Sequence, residues 1–312
     1  MNGTRAIPQK KSDLLFRWMT AFMATIIPLL MIGFLIVLIV DSQLSLAKFG
    51  WRFLVTSVWN PVTQQFGAAS SIYGTLISTL IAMAVAVPLS LVIALFLVEI
   101  APPALGKVVG YAIELLAAIP SIIYGMWGLF VFAPFMSEHV QPMVQKHFGA
   151  WPLFQGPPMG IGMLTAGLIL ALMILPFISA VMRDVFQMVP AVVKEAGYGS
   201  GATTWEVTYK VTMRYGFIGV AGAVFLGLGR AIGETMAITF VIGNSHHISA
   251  SLFEPSNSIA STLANEFTEA SEPLYLSSLI ELGLVLYVFT ILIQIGAQWL
   301  LKRIKGSMEG TR

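Results

Sequence analysis

The 312-residue chain contains no cysteine, and only 10% of its residues are charged. Without cysteine there are no disulfides, no thiolate nucleophile and no Cys-ligated metal. A soluble domain carries about 25% charged residues. Scarce charge, 57% hydrophobic residues and a mean hydropathy of +0.83 therefore exclude that class. The net charge of +2, from 17 basic and 15 acidic residues, is too small a surplus to argue for nucleic acid. Neither a collagen-like period nor a polar low-complexity tract accompanies the 28 Gly and 16 Pro. A phosphate-cradling loop is missing: the nearest stretch starts with Ala101 where Gly is needed and ends with Val108 where Ser or Thr is needed. The run Gly197-Tyr198-Gly199-Ser200-Gly201-Ala202 imitates a dinucleotide fingerprint, but no strand precedes it. Tyr198 stands where a nucleophile elbow at Ser200 would need Gly. His139, His147, His246 and His247 lie between the apolar runs, without the spacing of a metal site. What remains is an integral membrane protein with no visible catalytic set.

Long apolar runs are what the chain has in quantity. A membrane helix needs about 20 such residues, and six runs qualify: 18–40, 72–98, 108–133, 161–182, 217–243 and 276–301. They lack the alternation of a β-barrel, so the fold class is all-α with six transmembrane helices. The first run is too long for a signal-peptide core of about 7–15 residues, and is expected to be retained. Of the Lys and Arg outside the runs, 13 fall on the side of the N-terminus and three (Lys48, Arg52, Lys146) on the other. That bias predicts cytoplasmic N- and C-termini. The expected organisation is a tail, first helix and interfacial segment over 1–71, a transport unit over 72–301, and a basic tail over 302–312.

Residues 41–71 interleave Phe49, Trp51, Phe53 and Trp59 with polar groups, as a segment at the membrane interface does. Residues 134–160 read as an ordered loop. The acidic stretch 244–275 contains Glu254, Glu266, Glu269 and Glu272 without a base, and 258–270 predicts a short helix with an apolar stripe, Ile259, Leu263 and Phe267. That loop is either a solvated surface or a docking face, and the stripe packs either on the chain itself or on a partner.

Four ionisable residues fall inside runs: Glu114, Arg230, Glu234 and Glu281. Glu114 and Glu281 lie near the ends of their runs, where structural and functional roles are equally open. Arg230 is at the centre of its run, where an arginine costs about 2.5–3.5 kcal/mol on the insertion scale. Glu234 follows at i+4, which on a continuous helix is the same face. Either the two form a structural ion pair, or Arg230 faces a wet path for an anion, with Glu234 tuning it. The guanidinium fork suits phosphate or carboxylate oxygens. Gly229 and Gly233 form a small-xxx-small pattern, which by itself implies only helix packing.

The segment 183–216 holds Glu195-Ala196-Gly197-Tyr198-Gly199-Ser200-Gly201 and then Val211-Thr212-Met213-Arg214. It resembles the EAA loop of ABC importer permeases, Glu-Ala-Ala-x-x-x-Gly followed by nine residues and Ile-x-Leu-Pro. Glu195, Ala196 and Gly201 match; Gly197 replaces the third Ala, and Met213-Arg214 replace Leu-Pro. Wider stretches are similar to permeases of phosphate-specific ABC transport systems, and to one of their two permease types rather than its paired one. These are Ile72-Tyr73-Gly74-Thr75-Leu76, 112–132 (AIELLAAIPSIIYGMWGLFVF), Val181-Met182-Arg183-Asp184-Val185-Phe186 and 226–238 (LGLGRAIGETMAI).

The resemblance implies a type I ABC importer permease fold in the bacterial cytoplasmic (inner) membrane. It implies a second, homologous permease subunit (PstA-like), an ATPase subunit dimer and a phosphate-binding protein as partners. ATP would be used by the ATPase, with no cofactor bound by this chain. It assigns ATPase docking to a short helix containing Glu195, Ala196, Gly197 and Gly201. Arg230 and Glu234, singled out by their depth, become the expected substrate pathway. An importer for sulfate or molybdate, a secondary anion transporter and a membrane hydrolase are the alternatives. The hydrolase is disfavoured because no His or nucleophile motif lies within the runs.

Overall fold

The computed structural model describes residues 11–309. Arg5, Lys10 and Arg312, counted above toward the orientation, lie outside the described residues. Helix α1 (Lys11–Asp41) packs along the last helix and is otherwise almost wholly exposed. The interfacial segment folds as two short helices, α2 (Gln43–Phe49) and α3 (Arg52–Val55), followed by a tight turn closed by Asn60 and Gln65. Helix α4 (Ala69–Leu95) runs on through a π-helical turn, Phe96–Ile100. Then come α5 (Pro103–Ala117) and α6 (Ser121–Trp127), the latter prolonged by π-helical turns through α7 (Ala133–Phe135) and α8 (Gln141–Phe148). The third expected span is therefore not continuous: it is bent by 87° at residues 118–120. Pro120 causes the break, because a proline disfavours helical backbone at the residue before it and cannot donate to the preceding turn. Tyr124 on α6 donates its hydroxyl to the Leu116 carbonyl, 2.9 Å away, reinforcing an acceptor that Pro120 has no N–H to meet and that takes a 3.3 Å bond from the Ile119 amide. Residues 134–148 are helix rather than loop.

Helix α9 (Met163–Gln187) is the most enclosed of the apolar helices. Ile169, Leu170, Met173, Ile174, Ile178, Met182 and Phe186 are fully buried along it. Helix α4 runs parallel to α9, with Gly167 beside Ile81 and Ser90 donating to the Leu175 carbonyl. The α4 face is built from Ser78, Ala82, Ala86, Ser90 and Ala94, all buried. Small residues let two backbones approach closely, and in lipid it is this packing, rather than exclusion of water, that favours association.

After α9 come α10 (Ala191–Gly199), α11 (Thr204–Val207), a π-helical turn Thr208–Thr212, and α12 (Met213–Ile232). The helix thus starts at Thr204, well before the expected residue 217, and stops at Ile232. Residues 233–235 break the fifth expected span before α13 (Met236–Thr239). The expected acidic-loop helix appears as α14 (Ile259–Glu266), closed by a Ser258–Ser261 capping box. The chain ends in α15 (Pro273–Glu309). Among the described residues there is no strand, and five helices plus the bent pair are long and apolar enough to cross a membrane.

At the bundle end that carries α14, Phe53, Trp59, Phe66, Ile259, Tyr275, Leu279 and Leu282 form a second buried cluster. The apolar stripe on α14 packs into it at Ile259 and Leu263, whereas Phe267 is exposed. The opposite end carries α10.

Candidate functional site

Helix α12 lies antiparallel against α9. Gly216 faces Phe186, Gly219 faces Val185, and a Cβ at Gly227 would collide with Ile178. That register sets Arg230 beside Phe177, with its guanidinium 5.2 Å from the ring centroid. Phe177 is 14 residues into α9, about 21 Å along a helix rising 1.5 Å per residue. Arg230 is thus set beside the middle of α9, two residues before α12 ends.

Its surroundings differ from the expectation. Arg230 is in the last turn of α12, where a cation complements the helix C-terminus. Glu234 lies in the break, not on a continuing helical face, and its Oε1 accepts the Ala237 amide at 3.1 Å, capping α13. Among the described residues no ion pair joins Glu234 to Arg230. Both side chains are half-buried. The Arg230 charge also reaches the Tyr124 hydroxyl at the other broken span. The small-xxx-small pattern splits in function: Gly229 makes room for Gln294 of α15, while Gly233 caps α12. Two interrupted helices thus meet beside Arg230, which among the described residues has no carboxylate partner. Non-helical backbone in a bilayer is tolerated where it is enclosed by protein or lines a wet cavity.

The second candidate element is α10. Glu195, Ala196 and Tyr198 are exposed on it, while Gly197 turns inward onto Val207 and Val211. Gly201 ends the helix at φ +83°, a left-handed conformation that glycine adopts without steric penalty, and open space surrounds it. The replacement of Leu-Pro by Met213-Arg214 has a structural consequence: with no proline at 214, the helix passes from Thr204 into α12 without an exit turn.

Several charged contacts had no sequence signal. Glu99 accepts from Lys194 at 2.6 Å, although 95 residues separate them. Glu114 pairs with Arg183 at 2.6 Å, and Gly110 makes room for that guanidinium. Glu281 is buried, has one oxygen without a hydrogen-bond partner, and lines an apolar groove of about 460 Å³ with Leu46, Trp51, Leu54 and Val285. Glu266 is not a free acidic surface group: Trp59, Tyr275 (2.8 Å) and His246 (3.0 Å) all bond to it, and His246 stacks on Trp59. Burial by itself would raise the Glu266 pKa, but these bonds outweigh it and hold the carboxyl below its ordinary value. Among the described residues no three His, Asp or Glu side chains converge as metal ligands.

Residues 67–306 match the family described as binding-protein-dependent transport system inner membrane component. A Mesorhizobium japonicum protein named phosphate transport system permease protein PstC is 53% identical over 297 residues, covering 94% of this chain and 91% of that protein. One of the same name from Pasteurella multocida is 54% identical, covering 94% and 92%. A Methanocaldococcus jannaschii protein named probable phosphate transport system permease protein PstC is 36% identical, covering 83% and 84%. Among solved structures, a chain of a bacterial ABC transporter that imports the polysaccharide alginate superposes with a TM-score of 0.65 at 16% identity, covering 94% of this chain and 98% of that one. A chain of the MetNI methionine ABC transporter gives 0.53 at 16% identity, covering 76% and 94%.

Proposed function

The chain belongs to the family of binding-protein-dependent transport system inner membrane components, and from that premise we propose that it conducts inorganic phosphate through the membrane as one of two homologous permeases. Its partners in this reading are a PstA-like permease, a dimeric ATPase that uses the ATP, and a binding protein that delivers phosphate. The observation that carries the substrate is identity above 50%, over nearly the full length, to proteins named for phosphate transport.

The chemistry of the path is consistent with that substrate. A phosphate oxyanion entering mid-membrane needs charge-assisted donors and a gap in the helical backbone through which to pass. Arg230 supplies a planar fork of donors. The breaks at 118–120 and 233–235 supply the gap. Glu234, bonded to the α13 amide rather than to Arg230, leaves the guanidinium open to a transient anion and holds the second half of the broken span in place. A tightly paired Arg–Glu couple would have occupied the donors instead.

The Lys and Arg bias supports cytoplasmic termini and puts α10 on the cytoplasmic side. There Glu195 and Ala196 form an exposed face for the ATPase, with Gly197 and Gly201 shaping the helix behind them. Residues 72–301 act as the transport unit, and 1–71 add α1 and the interfacial helices along α15 and the α14 end.

The test is uptake of radiolabelled phosphate by cells carrying this chain with its partner permease, ATPase and binding protein. Uptake should require an ATPase competent for hydrolysis. Uptake of sulfate or molybdate in place of phosphate would overturn the substrate, and phosphate uptake persisting without the ATPase would overturn the class. Accessibility of single cysteines at residues 196 and 254 to an impermeant reagent tests the orientation: only residue 254 should be labelled from outside intact spheroplasts.

A further inference from the structure

Glu99 is enclosed, with 4% of its side chain exposed, and sits at the end of a membrane helix, paired with Lys194. One of its oxygens takes two bonds: Lys194 Nζ donates at 2.6 Å and Thr212 Oγ1 at 2.8 Å. The three residues come from three elements. Glu99 is in the π-helical turn that prolongs α4, Lys194 is on α10, and Thr212 closes the π-helical turn that leads into α12. A single carboxylate oxygen thereby ties the exposed helix to two membrane spans.

Two physical features make this junction stiff in one sense and adjustable in another. In a low-dielectric site, withdrawing Lys194 leaves a buried carboxylate unpaired, which is strongly unfavourable. Motion of α10 therefore drags Glu99 along or stops. The turns that hold Glu99 and Thr212 are both π-helical, a geometry with i→i+5 bonds that interrupts α-helices as a single bulged turn and recurs at functional sites. Such a turn can absorb a shift without breaking the helix. Beyond Thr212 the helix is uninterrupted for 18 residues to Arg230, about 27 Å at 1.5 Å per residue. A displacement at Thr212 is delivered to the candidate pathway along that rod.

We propose that Glu99 is a positioning residue that transmits displacement of α10 into α4 and α12, and so couples ATPase action to the phosphate path. This rests on α10 being the ATPase docking element. Coupling free energies between distant sites correspond to about 5–150-fold effects, and a contiguous chain of bonded groups is the physical basis for one here.

The experiment uses the assembled transporter in liposomes and reads phosphate moved per ATP hydrolysed, together with stimulation of ATP hydrolysis by the loaded binding protein. Glu99→Gln, Lys194→Gln and the neutral double variant should each lower the phosphate-to-ATP ratio about tenfold, with basal hydrolysis retained. The reversed pair, Glu99→Lys with Lys194→Glu, should regain most of the ratio, because it restores the tie with opposite polarity. A neutral double variant with the native ratio would overturn the proposal, since the pair would then serve only to neutralise a buried charge. A reversed pair no better than the neutral double would overturn it equally. If Glu99 variants fail to assemble, Thr212→Val, which removes the second bond to the same oxygen without unpairing a charge, should lower the same ratio, and a native ratio in it would overturn the proposal. Crosslinking from Ala196→Cys to the ATPase separates the two claims. No crosslink in an active complex removes the docking reading, whereas a normal crosslink with native coupling in the variants removes the role of Glu99.

Discussion

Arg230→Gln is the change that most sharply separates a pathway residue from a structural one. Its effect on folding can be worked from the site. The variant loses a cation–π contact with Phe177, 5.2 Å from the ring centroid, worth about 0.5–2 kcal/mol. It also loses a cation at the C-terminus of α12, worth about 0.3–1 kcal/mol, and removes a charge whose burial in an apolar span costs about 2.5–3.5 kcal/mol. The losses and the gain nearly cancel, so the variant should assemble and melt close to the native temperature. Transport should respond in the opposite direction. Each charge-assisted bond from the guanidinium to a phosphate oxygen is worth about 1.5–3 kcal/mol. Losing a bidentate pair should therefore lower phosphate uptake at subsaturating concentration at least 100-fold, at about 1.4 kcal/mol per decade. Arg230→Lys should recover little of this, because an ammonium does not reproduce the fork. The assay is initial uptake by the reconstituted transporter, with thermal stability measured on the same preparation. Uptake by Arg230→Gln within tenfold of native would refute the pathway role. So would full uptake by Arg230→Gln with Glu234→Gln, since the arginine would then matter only as a partner for Glu234.

Three further outcomes follow from the geometry. Gly201→Val places a β-branched residue at φ +83°, a strain of about 1–2 kcal/mol. It should leave the membrane bundle intact while lowering both crosslinking of α10 to the ATPase and coupled transport, and unchanged crosslinking and transport would show that the left-handed turn is dispensable. Glu266→Gln weakens bonds from Trp59, Tyr275 and His246, so it should destabilise the α14 end by about 2–4 kcal/mol, given about 1.5–3 for each bond to a charged group with partial retention by the amide. Because the folded Glu266 pKa lies below the ordinary value, its contribution is complete above the unfolded carboxyl pKa of about 4.3 and is lost as pH falls through the lower folded value. Native protein should accordingly lose protection of the α14 end from hydrogen exchange in that acid window and the Gln variant should not; identical acid profiles would remove Glu266 as the cause. Gly227→Leu forces a side chain into Ile178 and should destabilise the α9–α12 pair by at least about 1–3 kcal/mol, as overpacking does; a melting temperature equal to native would show that the two helices separate there without penalty.

Class and the number of apolar spans were legible in the sequence because they depend on local averages. Apolar runs must be helices when no water is available to the backbone, and a lone arginine in such a run stands out against its neighbours. The same holds for α10, whose motif residues are contiguous, and for the short helix α14 with its cap at Ser258. The interruptions at 118–120 and 233–235 are invisible to such averages. Pro120 and Gly233 sit in apolar surroundings that score as helix; the proline sets the first break, and the packing of α6 and α13 against α9 and against each other holds both. That packing, and not spacing, separated Glu234 from Arg230 and turned its carboxylate to the Ala237 amide. The acidic loop was read from its charge alone, whereas Trp59 and Tyr275, 207 and nine residues away, determine what Glu266 does. Glu99 and Lys194 carry no pattern at all in the chain. Their pairing exists because α4 and α10 end at the same side of the bundle, where a buried carboxylate requires a cation. Periodicity and composition record the solvent that each segment must meet; which charges meet one another is decided when the helices close.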